Sequence, residues 1–263
     1  MDWKVTTEPT AEPLHLDEAK LHLRVDTADD DALITSLIKA VRQWCEGFQN
    51  RSYVLQTIGG KLDGFANRLS LPGPLLREVT SIEYIDIAGD TQTLSTSVYS
   101  VDTTTEPGLV TLAYNQSWPC TRSQHHAVSV NYKVGYVVPF TVNTTSNVIT
   151  AIDHTYSDGD IVQLSNSGGA VPAGLAVNTN YYVRDDSGNT LKLAATSDGE
   201  AIDITGEGTG TSFLGIMPGP VLAAMKLLIG HLYDNRETTS PLTIQEVPLA
   251  ARSLLTIDRI YPV

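Results

Sequence analysis

The residues able to do chemistry are few in this chain of 263, and their spacing limits what they can do. His125 and His126 are adjacent, just after Arg122-Ser123-Gln124. Imidazole nitrogens ligate transition ions, but neighbours on a strand point to opposite faces. No Cys, Asp or Glu stands at ligand spacing beyond Cys120, so a loop or strand-start role is expected and no metal site. Asp158-Gly159-Asp160 and Asp185-Asp186-Ser187-Gly188-Asn189 offer the oxygens that calcium takes. Neither has the full loop with its closing Glu, and both read as β-turns. The run Gly206 to Gly210 (GEGTG) follows a predicted strand and opens no helix, so it makes no phosphate cradle. Gly-x-Ser-x-Gly, a Walker loop and His-Glu-x-x-His are missing from the sequence. Cys45 lies on an apolar helix stripe, where a thiol packs and does not attack. No catalytic residue and no cofactor are expected, and the chain does not read as an enzyme.

Charge and composition narrow the remaining classes. The formal net charge is −13, and an acidic protein does not attract nucleic acid by counterion release. No apolar run is long enough to cross a bilayer, so no membrane is expected. MDWKVTTEPT is not a signal peptide, and two cysteines make no disulfide framework; synthesis in the cytoplasm is the default. The charge is uneven. Val138 to Met217 holds nine acidic and two basic residues, giving −7, and the remainder of the chain carries −6. This shift marks a domain boundary.

The elements that position these residues follow from periodicity. Asp29 to Arg51 places Leu33, Ile34, Leu37, Ile38, Val41, Trp44, Cys45 and Phe48 at three- and four-residue spacing, which predicts an amphipathic helix. Its first carboxylates suit the positive end of the dipole. Pro218 to Glu237 repeats the pattern with Val221, Leu222, Met225, Leu228, Ile229, Leu232 and Tyr233, and Pro220 fits its first turn. The two helices are predicted to pack as one core. Leu16 to Leu23 makes a short helix before the first of them, behind an extended polar arm over residues 1–14. Pro248 to Leu255 makes another, followed by an extended apolar tail.

Between the helices the period falls to two. Tyr53 to Leu62, broken at Gly59-Gly60, then Arg68 to Leu71, Val79 to Ile87, Val98 to Asp102, Leu109 to Tyr114 and Ala127 to Val134 read as a small antiparallel sheet. Val148 to Ile152, Asp160 to Leu164, Asn180 to Arg184, Thr190 to Ala194 and Ala201 to Thr205 recur about every ten residues with turn signals between them, as in a small barrel or sandwich. The fold class is therefore α+β: a helical core with a small antiparallel sheet, plus an inserted all-β domain. The expected division is 1–137, 138–217 for the insert, and 218–263.

Four stretches together resemble the head–tail connector (adaptor) proteins of tailed bacteriophages. They are LDEAKLHLRVDTADDDALITSLIKAVRQWCEGFQNR, LAYNQSWPCTR with the strand AVSVNYKVGY after it, MKLLIGHLYDNRE, and VPLAARSLLTIDRI. The resemblance spans roughly residues 10 to 137 and 218 to 260. The chain departs from the usual member in the 80 residues between the Gly135-Tyr136 strand end and the last long helix. That insert is itself similar to a small β module recurring in phage structural proteins, through Pro172-Ala173-Gly174-Leu175, Tyr181-Tyr182-Val183 and Ala201 to Ile204. The resemblance implies a structural virion protein at the neck. It would form a homo-oligomeric ring, usually twelvefold, between the portal protein and the tail, stopper or tail-terminator proteins, with double-stranded DNA passing through the lumen without sequence-specific binding. Assembly in the host cytoplasm is implied.

Candidate interface residues lie near the chain's end. Tyr233, Asn235, Arg236 and Glu237 close the last long helix; they either terminate it locally or pair across an interface. Ile257, Arg259, Ile260, Tyr261 and Val263 form a tail whose apolar groups must pack on their own domain or on a neighbouring subunit. The alternative function is a binding or decoration module, in which the β insert recognises a carbohydrate or another capsid or tail protein.

Overall fold

The computed structural model describes residues 2–235 and 249–261. Among the described residues four helices carry the longest local periodicity: α1 (Leu16–Leu23), α2 (Asp31–Gln49), α3 (Gly219–Asp234) and α4 (Leu249–Thr256). The His15 ring accepts the Asp17 N–H at 3.2 Å to start α1, and Arg24 ends it in a left-handed conformation. On α2 the stripe Ile34, Ile38, Val41 and Cys45 is buried. It packs against α1, α3 and α4, as the matched apolar spacing of α2 and α3 requires.

By contacts the chain forms two compact units. One comprises Met1–Pro9, Asn50–Gly135 and Ile260–Val263; the other comprises Thr10–Gln49 and Tyr136–Arg259. The helices cluster with the strands of the 138–217 region and not with the sheet before it.

The first unit holds β1 (Asp2–Thr7), β2 (Gln56–Leu62), β3 (Arg68–Leu71), β4 (Leu76–Ile85), β5 (Thr91–Thr93), β6 (Tyr99–Asp102), β7 (Gly108–Leu112) and β8 (Val128–Val134). They form a five-stranded antiparallel sheet, β1-β2-β8-β4-β5, and a three-stranded one, β3-β7-β6. One core joins the two sheets: Ile58, Ile82, Val128, Val130, Tyr132 and Val134 from the larger, Leu69, Leu71, Tyr99 and Val110 from the smaller. β8 alternates buried and half-buried residues without a fault, the pattern of a central strand. The extended arm is strand β1, which pairs along β2 from Asp2↔Lys61 to Thr7↔Thr57. Gly59 and Gly60 do not break β2. A Cβ on Gly59 would meet Thr6 Cγ2 at 2.9 Å, so a side chain there would have to displace that methyl on β1.

The second unit adds β9 (Val138–Asn143), β10 (Val148–Thr150), β11 (Ile161–Val162), β12 (Leu164–Ser167), β13 (Tyr181–Arg184), β14 (Thr190–Ala194) and β15 (Thr211–Leu214). Their order is β11-β13-β14-β10-β9-β15-β12. The outermost strands, β11 and β12, are separated in sequence by Gln163 alone, so the sheet curls until its edges meet. Gly215 N–H donates to the Gln163 carbonyl at 2.7 Å, which carries the β12–β15 pairing to that junction. The result is a nearly closed barrel, a form that removes free edges. The strand expected over Ala201 to Thr205 is a loop with single bridges, Ala194↔Ala201 and Ala173↔Gly206. The Asn147 side chain accepts the Ile204 N–H at 2.9 Å, and the Ala173 carbonyl accepts the Thr205 N–H at 3.0 Å, so the segment cannot run as a ladder.

Candidate interaction surfaces

The end of α3 is fixed locally. The Tyr233 hydroxyl donates to the Asp30 carboxylate at the start of α2. Asn235 donates both its backbone N–H (3.1 Å) and its side-chain amide (2.8 Å) to the His231 carbonyl. These contacts terminate the helix and tie it to the start of α2. Arg236, Glu237 and Val263 lie outside the described residues. After α4, Ile257 is 66% exposed, and the Arg259 guanidinium lies 4.3 Å from the centre of the Phe48 ring, a cation–π contact. The tail is not extended from Thr256, because α4 runs through that residue and a turn follows it. Ile260 and Tyr261 belong to the first unit, where the Ile260 carbonyl accepts the Asn50 amide at 2.7 Å. Ile260 is half-buried and Tyr261 exposed.

A helical face beside these residues escapes a reading by period. Between Gly219 and Asp234, the only charged residues of α3 are Lys226 and its terminal Asp234, apart from His231. Lys226 is engaged with Glu18 at 2.5 Å. Val221, Ala224, Met225, Leu228 and Ile229 are buried, while Ala223, Leu227 and Leu232 face outward and are exposed. A helix apolar on all sides is ordinarily enclosed on all sides. In the second unit α4 begins with Leu249, also exposed.

Two charged groups hold the helical unit from within. Arg42 is 2% exposed; its Nε donates to Glu12 and its Nη1 to Glu46, each at 2.7 Å. Glu18 joins α1 to α3 and to the barrel: it accepts from Lys226 and from the Ser167 hydroxyl, whose oxygen accepts the His15 N–H at 2.8 Å. Burial pushes the Glu18 carboxyl up, but the hydrogen bonds from Lys226, Ser167 and the Gly168 backbone outweigh it and hold the group below its ordinary range. Gly168, at φ +79°, lies against the His15 ring where a Cβ has no room.

The acidic turns serve the backbone. Asp158 accepts the Asp186 N–H at 2.8 Å, Asp160 accepts the Ser157 N–H at 2.8 Å, and Asp186 accepts the Gly188 N–H at 3.2 Å. In the glycine-rich loop, Thr209 and Ala170 exchange backbone hydrogen bonds. Cys45 is fully buried; burial, with Glu46 beside it, pushes its thiol up to about 12 and keeps it protonated. An open groove of about 650 Å³ in the second unit is lined by Pro139, Phe140, Thr150, Ile152 and Glu207, among others.

The paired histidines do not point to opposite faces. His126 takes a left-handed conformation, φ 58°, and the two rings stack with centroids 3.6 Å apart. His126 Nε2 lies 2.9 Å from Asp2 Oδ2, and His125 Nδ1 lies 2.7 Å from Asp63 Oδ1. The carboxylates missing at ligand spacing arrive from 62 and 124 positions away through the pairing of β1, β2 and β8.

Comparison with known proteins follows the same division between fold and local sequence. A sequence model of the phage gp6-like head-tail connector protein family matches residues 13–89, a stretch containing α1, α2 and β2 to β4. The resemblance to head–tail connectors holds there, over less than half the chain. A chain from the virion of a native gene transfer agent (GTA) particle has the same fold, with TM-score 0.57 and 14% identity, covering 100% of this chain and 97% of that one. A chain from the neck of an empty GTA particle computed with C6 symmetry gives TM-score 0.57 and 15% identity, with the same coverage. A chain from the neck of a native GTA particle computed with C12 symmetry gives 0.52 and 13%. No curated protein matches the sequence. Because the fold likeness spans both units, the barrel is part of the shared architecture.

Proposed function

We propose that this protein is a structural component of a phage-like neck: a head–tail connector that assembles as a homo-oligomeric ring of twelve between the portal and the tail or stopper proteins. The likeness that carries this reading is one of fold over nearly the whole of both chains, joined to the connector family's match at residues 13–89. Its mechanism is association, with no bond made or broken. The outward side of α3, with Ala223, Leu227 and Leu232, together with the exposed Ile257, is the surface a neighbouring subunit covers. Burying such apolar area contributes about 25 cal/mol per Å² before the cost of ordering the partners. Tyr233, Asn235, Arg236, Glu237, Arg259, Ile260, Tyr261 and Val263 border the portal and subunit contacts. A net charge of −13 suits a wall past which DNA slides, since like charge prevents sticking.

Light scattering on the purified chain, alone and with its portal protein, tests this. Twelve chains of 28.4 kDa total about 340 kDa. A ring of that mass, or a portal complex of matching symmetry, is expected. Leu227→Glu should abolish the ring and leave the monomer folded. A wild-type monomer with no affinity for the portal overturns the assignment. The attention would then pass to the barrel as a binding module. Its open groove presents no exposed aromatic face for a sugar, since Phe140 is buried. Ser167 and Gly168 also tie the barrel to α1, so point substitutions in the groove test that module better than removal of 138–217.

A further inference from the structure

We propose that Asp2, His125 and His126 bind a divalent zinc ion, with Asp63 orienting His125, and that the ion fastens the N-terminal strand β1 to the loop leading into β8. One ligand atom from each of Asp2, His125 and His126 lies within 4.8 Å of the others. A tetrahedral zinc with bonds of about 2.0–2.2 Å needs its ligand atoms about 3.4 Å apart. Asp2 Oδ2 and His126 Nε2, now 2.9 Å apart, therefore have to open by about half an ångström, and the wider separations have to close by about 1.4 Å at most. The side chains are free to do so, because Asp2, Asp63 and His125 are each about 70% exposed or more and none is locked in a core. Two imidazoles and a carboxylate are the donor set that zinc takes, and water completes the fourth position.

The outer arrangement also fits. Asp63 accepts the His126 backbone N–H at 2.9 Å and contacts His125 Nδ1 at 2.7 Å. A carboxylate on one ring nitrogen leaves the other for the ion and raises its basicity. The site is made by the fold. Asp2 begins β1 opposite Lys61, Asp63 lies just past the end of β2, and the histidines directly precede β8; the three segments meet at one end of the sheet. β1 is an edge strand whose side chains are nearly all exposed, and in the five-stranded sheet it pairs with β2 only. An ion bridging Asp2 to the histidines adds a second attachment that skips over β2.

The test uses the full chain without an affinity tag, stripped with chelator and titrated with zinc chloride by calorimetry. Hydrogen exchange over residues 2–7 is followed in parallel. One equivalent of zinc should bind, raise Tm, and slow exchange in β1. His126→Ala and Asp2→Asn should each weaken binding at least tenfold, and Asp63→Asn by 10- to 100-fold, as loss of an outer carboxylate does. Cys120→Ser should leave binding unchanged. The chelated variants should melt with chelated wild type, which shows that they fold. Zinc that fails to bind, binds without slowing β1, or binds His126→Ala as well as wild type overturns the proposal. So does binding lost in Cys120→Ser.

Discussion

Each compact unit holds a tight group of charges, one around Arg42 and one around the paired histidines, and water reaches these two very differently. In the helical unit Arg42 lies between Glu12 and Glu46 and is 2% exposed. In the sheet unit Asp2, Asp63, His125 and His126 make equally short contacts, yet three of the four are largely solvated. The enclosed group cannot exchange its partners. Taking one away leaves a charge in a medium that will not solvate it. The solvated group loses little when a partner leaves, because water replaces it. The same residue types therefore fix a structure in one place and stay available to a ligand in the other.

The largest expected effect lies in the enclosed group. Arg42→Ala should lower the unfolding free energy by about 3–5 kcal/mol, the range for breaking a buried pair from one side. Replacing Arg42, Glu12 and Glu46 together by apolar residues of similar size should recover most of that loss, since no charge is then stranded. Urea denaturation measures both. A loss below about 1 kcal/mol for Arg42→Ala, the range of a surface pair, would erase the contrast.

The same two groups show what the sequence discloses. Arg42 and Glu46 are four apart on a predicted helix, so half of the enclosed cluster is legible as a pair on one face. Glu12 comes from the arm 30 residues earlier, and no periodicity announces it. The helices were readable because their signals are local: α1 has the predicted bounds, and α2 and α3 differ by one to three residues at their ends. Central strand β8 was readable from its alternation. Strands β9, β12 and β15 were not. LSNS and TSFL are short, polar or mixed, and become strands because they pair with each other and TSFL pairs with β9. The histidine cluster lay beyond reach for the same reason. Its chemistry depends on β1 pairing with β2, and the rule that adjacent strand residues diverge fails where His126 turns left-handed. The α3 face failed differently: periodic spacing explained the buried residues and left the outward Leu227 unremarked.

Glu18 stands between the two extremes, half enclosed, and its effect should be intermediate. Glu18→Gln removes a charged acceptor from Lys226 and Ser167 and should cost about 1.5–3 kcal/mol, the range for hydrogen bonds to charged groups. The sign with pH is set by the direction of its shift. The folded carboxyl titrates below its ordinary value of 4.5, so its contribution is complete above that value. It is lost as pH falls through the lower folded value. Stability measured from pH 7 downward should show an acid limb that is shallower in Glu18→Gln than in wild type. Parallel limbs would mean that the joint between α1, α3 and the barrel does not depend on this charge.

The smallest effect is expected where the charges are wet. Without metal, His126→Ala removes a contact to Asp2 that water can replace, and the urea midpoint should not move measurably. What should change is local. β1 opens from the edge of its sheet without the rest unfolding, so exchange at residues 3–5 should quicken while that of β8, buried at every second residue, stays at the global rate. A midpoint shift as large as that of Arg42→Ala would show that the exposed cluster is as structural as the buried one, and solvent access would no longer separate the two groups.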